Sequence, residues 1–238
     1  MNLTAEQARA RSVQVMGQEL GETYEALWQE VIWLHSKWAE YSALYGTKES
    51  RVDLLNKAAP RFARLIQDTL WEDVVLHIAR LTDPPKSAGK HNLTIQSLAT
   101  HIGDSATRAK VEELVAQAVE QAEFCRDWRN RHLAHRDLHL ALAHGAEPLK
   151  TGSRKSVREI LQTLDQTLDT ISSQYLGSTT YFEFDTAAGG ALSLLHGVDD
   201  GLKVEEARRE RLRQGRWSPM TTSPKTFSWF VSQSSKIG

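Results

Sequence analysis

The chain reads as an all-α protein, an antiparallel bundle of four main long helices followed by a C-terminal extension. Three observations carry that reading. Apolar side chains recur at steps of three and four residues along most of the chain. Its 6 prolines stand at positions 60, 84, 85, 148, 219 and 224, which leaves long stretches free to be helical. Caps, glycines and prolines fall where the periodic segments begin and end.

Taken in order, Thr4 with Gln7 has capping-box spacing and opens a polar helix. Gly17 and Gly21 then mark a break or bend. Leu20, Tyr24, Leu27, Val31, Leu34, Trp38, Tyr41 and Tyr45 alternate steps of four and three, so one long helix buries them along a single stripe and closes at Gly46. Pro60 suits the first turn of the next helix. Phe62, Leu65, Ile66, Leu70, Val74, Ile78 and Leu81 form its apolar face, and Asp83-Pro84-Pro85 stops it. Residues 84–92 read as a loop, and a short helix over 94–102 ends at Gly103. Asp104 or Ser105 caps a third long helix that buries Val111, Leu114, Val115, Ala118, Ala122 and Cys125 and runs to about Leu138.

Residues 144–152 form a linker. Ser156 with Glu159 then makes a capping box for a helix whose buried face is Val157, Ile160, Leu161, Leu164, Leu168, Ile171 and Tyr175. The bundle is expected over residues 1–178 and the extension over 179–238. The extension holds an aromatic, β-branched segment at 179–184 that allows a short strand, an apolar helix at 188–200 and a charged helical segment at 202–214. From Trp217 the tail is rich in Ser, Thr and Pro and lacks a regular pattern, although its aromatic residues could pin it to the body.

Composition narrows the function classes. Apolar residues make up 40% and charged residues 25%, ordinary values for a globular chain of 238 residues. A net charge of −1 argues against coating nucleic acid through bulk charge, so any such contact must come from a local patch. A single cysteine, Cys125, excludes an internal disulfide and fits a reducing compartment. No secretory block opens the sequence and no run approaches membrane-span length, so a cytoplasmic location is expected. The phosphate loop, the dinucleotide fingerprint, the His-Glu-x-x-His zinc motif and the Gly-x-Ser-x-Gly elbow are all missing.

One constellation stands out. Residues 125–139 hold Arg126, Arg129, Arg131 and Arg136 beside His132, His135 and His139, with His144 just beyond. On an ideal helix Arg129, His132 and Arg136 lie within about 40° of the line through Cys125, and His135 lies about 80° away. The buried stripe thus runs on into arginines and histidines, which are costly to bury without partners. A solvated, basic helix end that complements the dipole is the plain reading. The alternative is a face that meets a phosphate or a second subunit. Metal ligation by His132, His135 and His139 lacks a carboxylate in register, and the adjacent arginines would repel a cation.

Arg129-Asn130-Arg131-His132-Leu133-Ala134-His135 resembles the signature of the HEPN superfamily, an Arg followed by a polar residue and, four to six residues on, a His. The words around it, and Ile78-Ala79-Arg80-Leu81-Thr82-Asp83-Pro84 at the end of an earlier helix, resemble the abortive-infection branch of HEPN proteins. The resemblance covers roughly residues 10–178. It implies a homodimer in which two copies of the motif face one cleft and, in active members, metal-independent endoribonuclease action without a cofactor. It then implies that Arg129 clamps the phosphate, His135 is the acid or base and Asn130 orients the pair, with His132 and Arg136 as auxiliary candidates. Asp137 stands where some toxin members carry a modifiable Tyr. Many HEPN proteins are instead non-catalytic RNA- or nucleotide-binding modules, or pair with an antitoxin, so those readings stand beside the enzyme. A structural bundle whose motif only ends a helix is a third.

Arg208, Arg209, Arg211, Arg213 and Arg216 fall within nine residues, among Glu205, Glu206 and Glu210. They read as a solvated helix with i,i+4 pairs or as an RNA-contacting patch. Trp71-Glu72-Asp73 reads as surface charge beside a core tryptophan.

Overall fold

The computed structural model describes residues 4–87, 89–135, 137–142, 145–179 and 189–215. The strand expected at 179–184, the side chains of Arg136, His144 and Arg216, and the tail from Trp217 fall wholly or mainly outside them. The chain divides into two compact units, Met1–Gly197 and Val198–Gly238.

Among its described residues the first unit is all-α apart from one two-residue ladder. Helix α1 (Ala5–Met16) starts in the expected capping box, with the Gln7 amide donating to Thr4 Oγ1 at 3.2 Å and the Thr4 amide to Gln7 Oε1 at 2.9 Å. Gly17, at φ +83°, ends α1 and opens α2 (Gln18–Tyr41). Gly21 marks no break. It lies inside α2, and a Cβ there would stand 2.6 Å from the Val13 backbone, so glycine is what lets α1 lie against α2. The eight-residue stripe from Leu20 to Tyr45 is buried throughout. Its last residue sits in a π-helical turn, Ser42–Gly46, that closes α2.

Helix α3 (Glu49–Ala58) leads into α4 (Pro60–Leu81), where Pro60 takes the first helical position as expected. The expected buried face of α4 holds only in its second half. Val74, Ile78 and Leu81 are buried, whereas Phe62 and Leu65 are each 61% exposed. Tyr45 donates its hydroxyl to the Ala63 carbonyl at 2.9 Å, and this contact takes Ala63 inside. The loop after α4 contains a ladder of β1 (Lys86–Ser87) and β2 (Lys90–His91), with Lys86 opposite His91 and Ser87 opposite Lys90. Two 3₁₀ turns, Ile95–Ser97 and Ala99–His101, replace the short helix expected over 94–102.

Asp104 caps α5 (Ser105–Gln121) by accepting from the Thr107 amide at 2.8 Å. Short α6 (Glu123–Trp128) and α7 (Leu138–Ala141) follow, then α8 (Arg154–Leu176). The cap of α8 is Ser153, which accepts from the Ser156 amide at 3.0 Å, rather than the expected Ser156–Glu159 box. The core joins α2, α4, α5 and α8, with α5 packed along α8 and α2 against α4, while α1 covers α2 and α8. Leu27, Val31, Val111, Leu164 and Leu168 are fully enclosed there, each contributing about 1.5–3 kcal/mol by leaving water. A single helix, α9 (Ala191–Arg213), takes the place of the two segments expected at 188–200 and 202–214. Among the described residues of the second unit, α9 continues as an exposed, charged helix.

Candidate functional site

The third long helix does not run unbroken to Leu138. Ala122, at φ −82° and ψ 6°, separates α5 from α6. After Trp128 the backbone widens into a second π turn, Arg129–Leu133, in which the Arg129 carbonyl accepts from the Ala134 amide five residues on, at 2.8 Å. The chain leaves the helix at Ala134, and Asp137 starts α7 by accepting from the Leu140 amide at 2.8 Å. The cause is the residue content of the turn. None of residues 129–133 is fully buried, and Leu133 alone of them packs an apolar side chain against the core, so the hold on the α-helical phase is weak here. The angles of an ideal helix therefore stop applying at Arg129.

Within this turn the charged side chains find partners. Arg129 donates from Nη1 to both carboxylate oxygens of Asp83, at the end of α4, and from Nε to Asn130 Oδ1 at 3.0 Å. Arg129 and Asp83 are both largely covered, with side chains 23% and 17% exposed. His132 Nε2 lies 3.3 Å from Glu72 Oε1 on α4, and its ring stands edge-on to Trp128 at 5.9 Å. Arg131 donates to the Glu147 carbonyl at 2.5 Å and faces Asp127 at 3.4 Å. His135, just past the turn, is exposed and makes no hydrogen bond to a described residue.

The linker after α7 is tied to α6. Trp128 Nε1 donates to the Lys150 carbonyl at 2.9 Å, and the Lys150 amide donates to Asp127 Oδ2 at 2.8 Å. Gly152 passes so close to Phe124 that a Cβ would stand 2.4 Å from its ring. Burial pushes the Cys125 thiol far above its ordinary range, so it is a core residue and not a nucleophile. Among the described residues no group of three His, Cys, Asp or Glu is arranged to hold a metal ion.

The structure thus gathers Arg129, Asn130 and His132 at one turn and leaves His135 beside it in solvent. It also adds two residues that the sequence did not single out as site members. Glu72 is a partner of His132 rather than bare surface charge, and Asp83 holds the guanidinium of Arg129. The signal for Asp83 was its place directly after α4, in the second segment that resembled the same branch. On α9, Arg208 and Arg209 pair with Glu205 and Arg213 with Glu210, which is the i,i+3 and i,i+4 lacing expected of a solvated helix. Arg211 is exposed.

An all-α bundle that presents Arg-Asn and two histidines from a widened helix end defines the class, a HEPN protein. The model of the AbiU2 family of HEPN proteins matches residues 17–189, and the chain belongs to this abortive-infection-type family. No curated protein and no solved structure matches it. No described helix is long and apolar enough to cross a membrane.

Proposed function

We propose that the chain is a metal-independent endoribonuclease of the HEPN type, a toxin-like or phage-defence effector whose Arg/His site is completed in a homodimer. The carrying observation is the oriented guanidinium of Arg129, which Asp83 and Asn130 hold through Nη1 and Nε while Nη2 makes no hydrogen bond to a described residue. A fixed, permanently charged fork suits a phosphate.

RNA carries its own nucleophile. The 2′-hydroxyl attacks the adjacent phosphorus as a base takes its proton, the bond to the 5′-oxygen breaks, and that oxygen takes a proton from an acid. The products are a 2′,3′-cyclic phosphate and a 5′-hydroxyl. Arg129 stabilises the charge that builds on the non-bridging oxygens. His135 moves the proton, its exposed imidazole being open to approach by a substrate. A second His135 from the facing copy would serve the leaving oxygen. His132, oriented by Glu72, and Arg136 are auxiliary, and Arg208, Arg209, Arg211 and Arg213 are candidates for further phosphate contacts.

The test is incubation of the purified protein with single-stranded RNA in EDTA. Cleavage is expected to fall at least about a hundredfold in Arg129→Ala and in His135→Ala. Absence of products from the unmodified protein, or unchanged products from both variants, overturns the proposal. Two observations favour a second reading, a non-catalytic RNA- or nucleotide-binding module, with or without an antitoxin-type partner. Asp83 already neutralises Arg129, and His135 lacks an orienting acceptor among the described residues. That reading predicts binding that weakens with salt and in Arg129→Ala, without cleavage.

A further inference from the structure

A second concave feature of the first unit takes no part in the chemistry above. Between the end of α2, the first half of α4 and the start of α8 lies a cleft of about 430 Å³, a volume in the range of small-ligand sites. Its aromatic part is Trp71 and Tyr41, whose rings are 5.8 Å apart and tilted by 45°. Arg64, Gln67, Asp68 and Arg154 also line it. Arg154 spends Nη1 on the Tyr45 carbonyl at 2.9 Å, and Arg64 spends Nε on Asp68 at 2.8 Å. The remaining guanidinium nitrogens of both make no hydrogen bond to a described residue.

The cleft is fastened to the motif. Trp71 meets Trp128 edge to face at 6.2 Å, and Trp128 meets His132 in the same manner. The wall at residues 152–154 is set by Gly152 against Phe124 and by the bonds from Asp127 and Trp128 to Lys150. Both anchors belong to α6, the helix that delivers Arg129. A group seated in the cleft is therefore held in fixed relation to the turn that carries the signature.

We propose that this cleft is a subsite for one unpaired nucleotide of single-stranded RNA, with the base against Trp71 and the neighbouring phosphate between Arg64 and Arg154. The proposal rests on the reading of the chain as an RNA-acting protein. Every base has a π-face, so an aromatic wall with flanking arginines accepts unpaired nucleotides regardless of sequence. The Gln67 amide can donate and accept, and the Asp68 carboxylate can accept, which fits a base edge or a 2′-hydroxyl. A purely apolar ligand would make no use of the remaining guanidinium donors, and inorganic phosphate alone would make no use of Trp71.

The experiment measures binding of a short, labelled 2′-O-methyl oligoribonucleotide, which cannot be cleaved, by fluorescence anisotropy with the full chain. Trp71→Leu and the exposed Arg64→Glu are each expected to raise Kd about tenfold or more, whereas Trp71→Phe keeps most of the affinity. Duplex RNA, whose bases stay stacked, should show little change in Trp71→Leu, and inorganic phosphate should not compete at millimolar concentration. Unchanged Kd in Trp71→Leu and Arg64→Glu, with circular dichroism as for the parent, overturns the subsite, as does failure of the parent to bind the oligonucleotide. If RNA is cleaved in an Arg129-dependent way while Kd ignores the cleft variants, the subsite alone falls. If the cleft variants weaken binding but the parent cleaves no RNA, the subsite stands and the nuclease falls.

Discussion

The two π turns use one backbone device for opposite ends. In Ser42–Gly46 the side chains go inward: Ala43, Leu44 and Tyr45 are buried. Arginines arrive from elsewhere to satisfy the carbonyls that the widened turn leaves over, Arg51 at Ala43 (2.8 Å) and Arg154 at Tyr45 (2.9 Å). In Arg129–Leu133 the arginines belong to the turn and reach Asp83, just past α4, and Asp127 on α6, and no residue of the turn is fully buried. A turn closed by packing has one stable arrangement. A turn held by ion pairs presents guanidinium groups whose partner is an anion, the chemistry that a phosphate shares. The second turn is the one on which the proposed function rests.

Truncating one side chain in each turn tests this contrast. Tyr45→Ala empties a buried aromatic site and removes the bond to Ala63, so unfolding free energy should fall by about 3–5 kcal/mol. Arg129→Ala should cost only about 1–2 kcal/mol, since the pair is partly exposed, while RNA cleavage is lost. Urea denaturation of both variants beside the EDTA cleavage assay reads both quantities. Equal destabilisation would remove the distinction between the turns.

Gly152→Ala probes the join between them. Its Cβ would enter the Phe124 ring, so overpacking should cost about 1–3 kcal/mol and shift α6. Activity should fall with stability here, unlike in Arg129→Ala. A variant with the parent's melting temperature and full cleavage would show that α6 is not braced by this contact.

How much of this was legible follows the range of the interactions. The α2 stripe could be read whole, because its period is set by residues three and four apart and every member meets the core. The caps at Thr4 and Asp104 and Pro60 at the start of α4 were equally local. The signature segment could be recognised but not built. Its π turn shifts the phase on which the angular placement of His135 depended, and its partners Asp83 and Glu72 lie 46 and 60 residues away. Phe62 and Leu65 were misplaced for a related reason: periodicity names an apolar face but not how far the partner helix extends to cover it.

The same helix, α4, carries one more charged cluster, and it obeys the buried logic rather than the exposed one. His77 is 1% exposed and sits between two residues of α2, with Nε2 2.8 Å from Glu30 Oε2 and Nδ1 3.4 Å from Lys37 Nζ. Asp73 in turn pairs with Lys37 at 2.7 Å. A neutral ring satisfies both neighbours, its Nε2–H donating to Glu30 and its Nδ1 accepting from Lys37. Burial first, and then the charges of Lys37 and Arg80, lower its pKa, against the opposing pull of Glu30. The folded pKa thus lies below the ordinary value of about 6.5. This contribution to stability is complete above that value and is lost as pH falls through it toward the folded pKa, because the unfolded chain binds the proton more readily. The parent should therefore lose stability between pH 7.5 and 5 more steeply than His77→Gln, by a slope of at most about 1.4 kcal/mol per pH unit. The pairs His35–Asp165 and His101–Glu19 are present in both proteins, so the difference between the two denaturation profiles isolates His77. Parallel profiles would mean that the lock between α2 and α4 tolerates the extra proton.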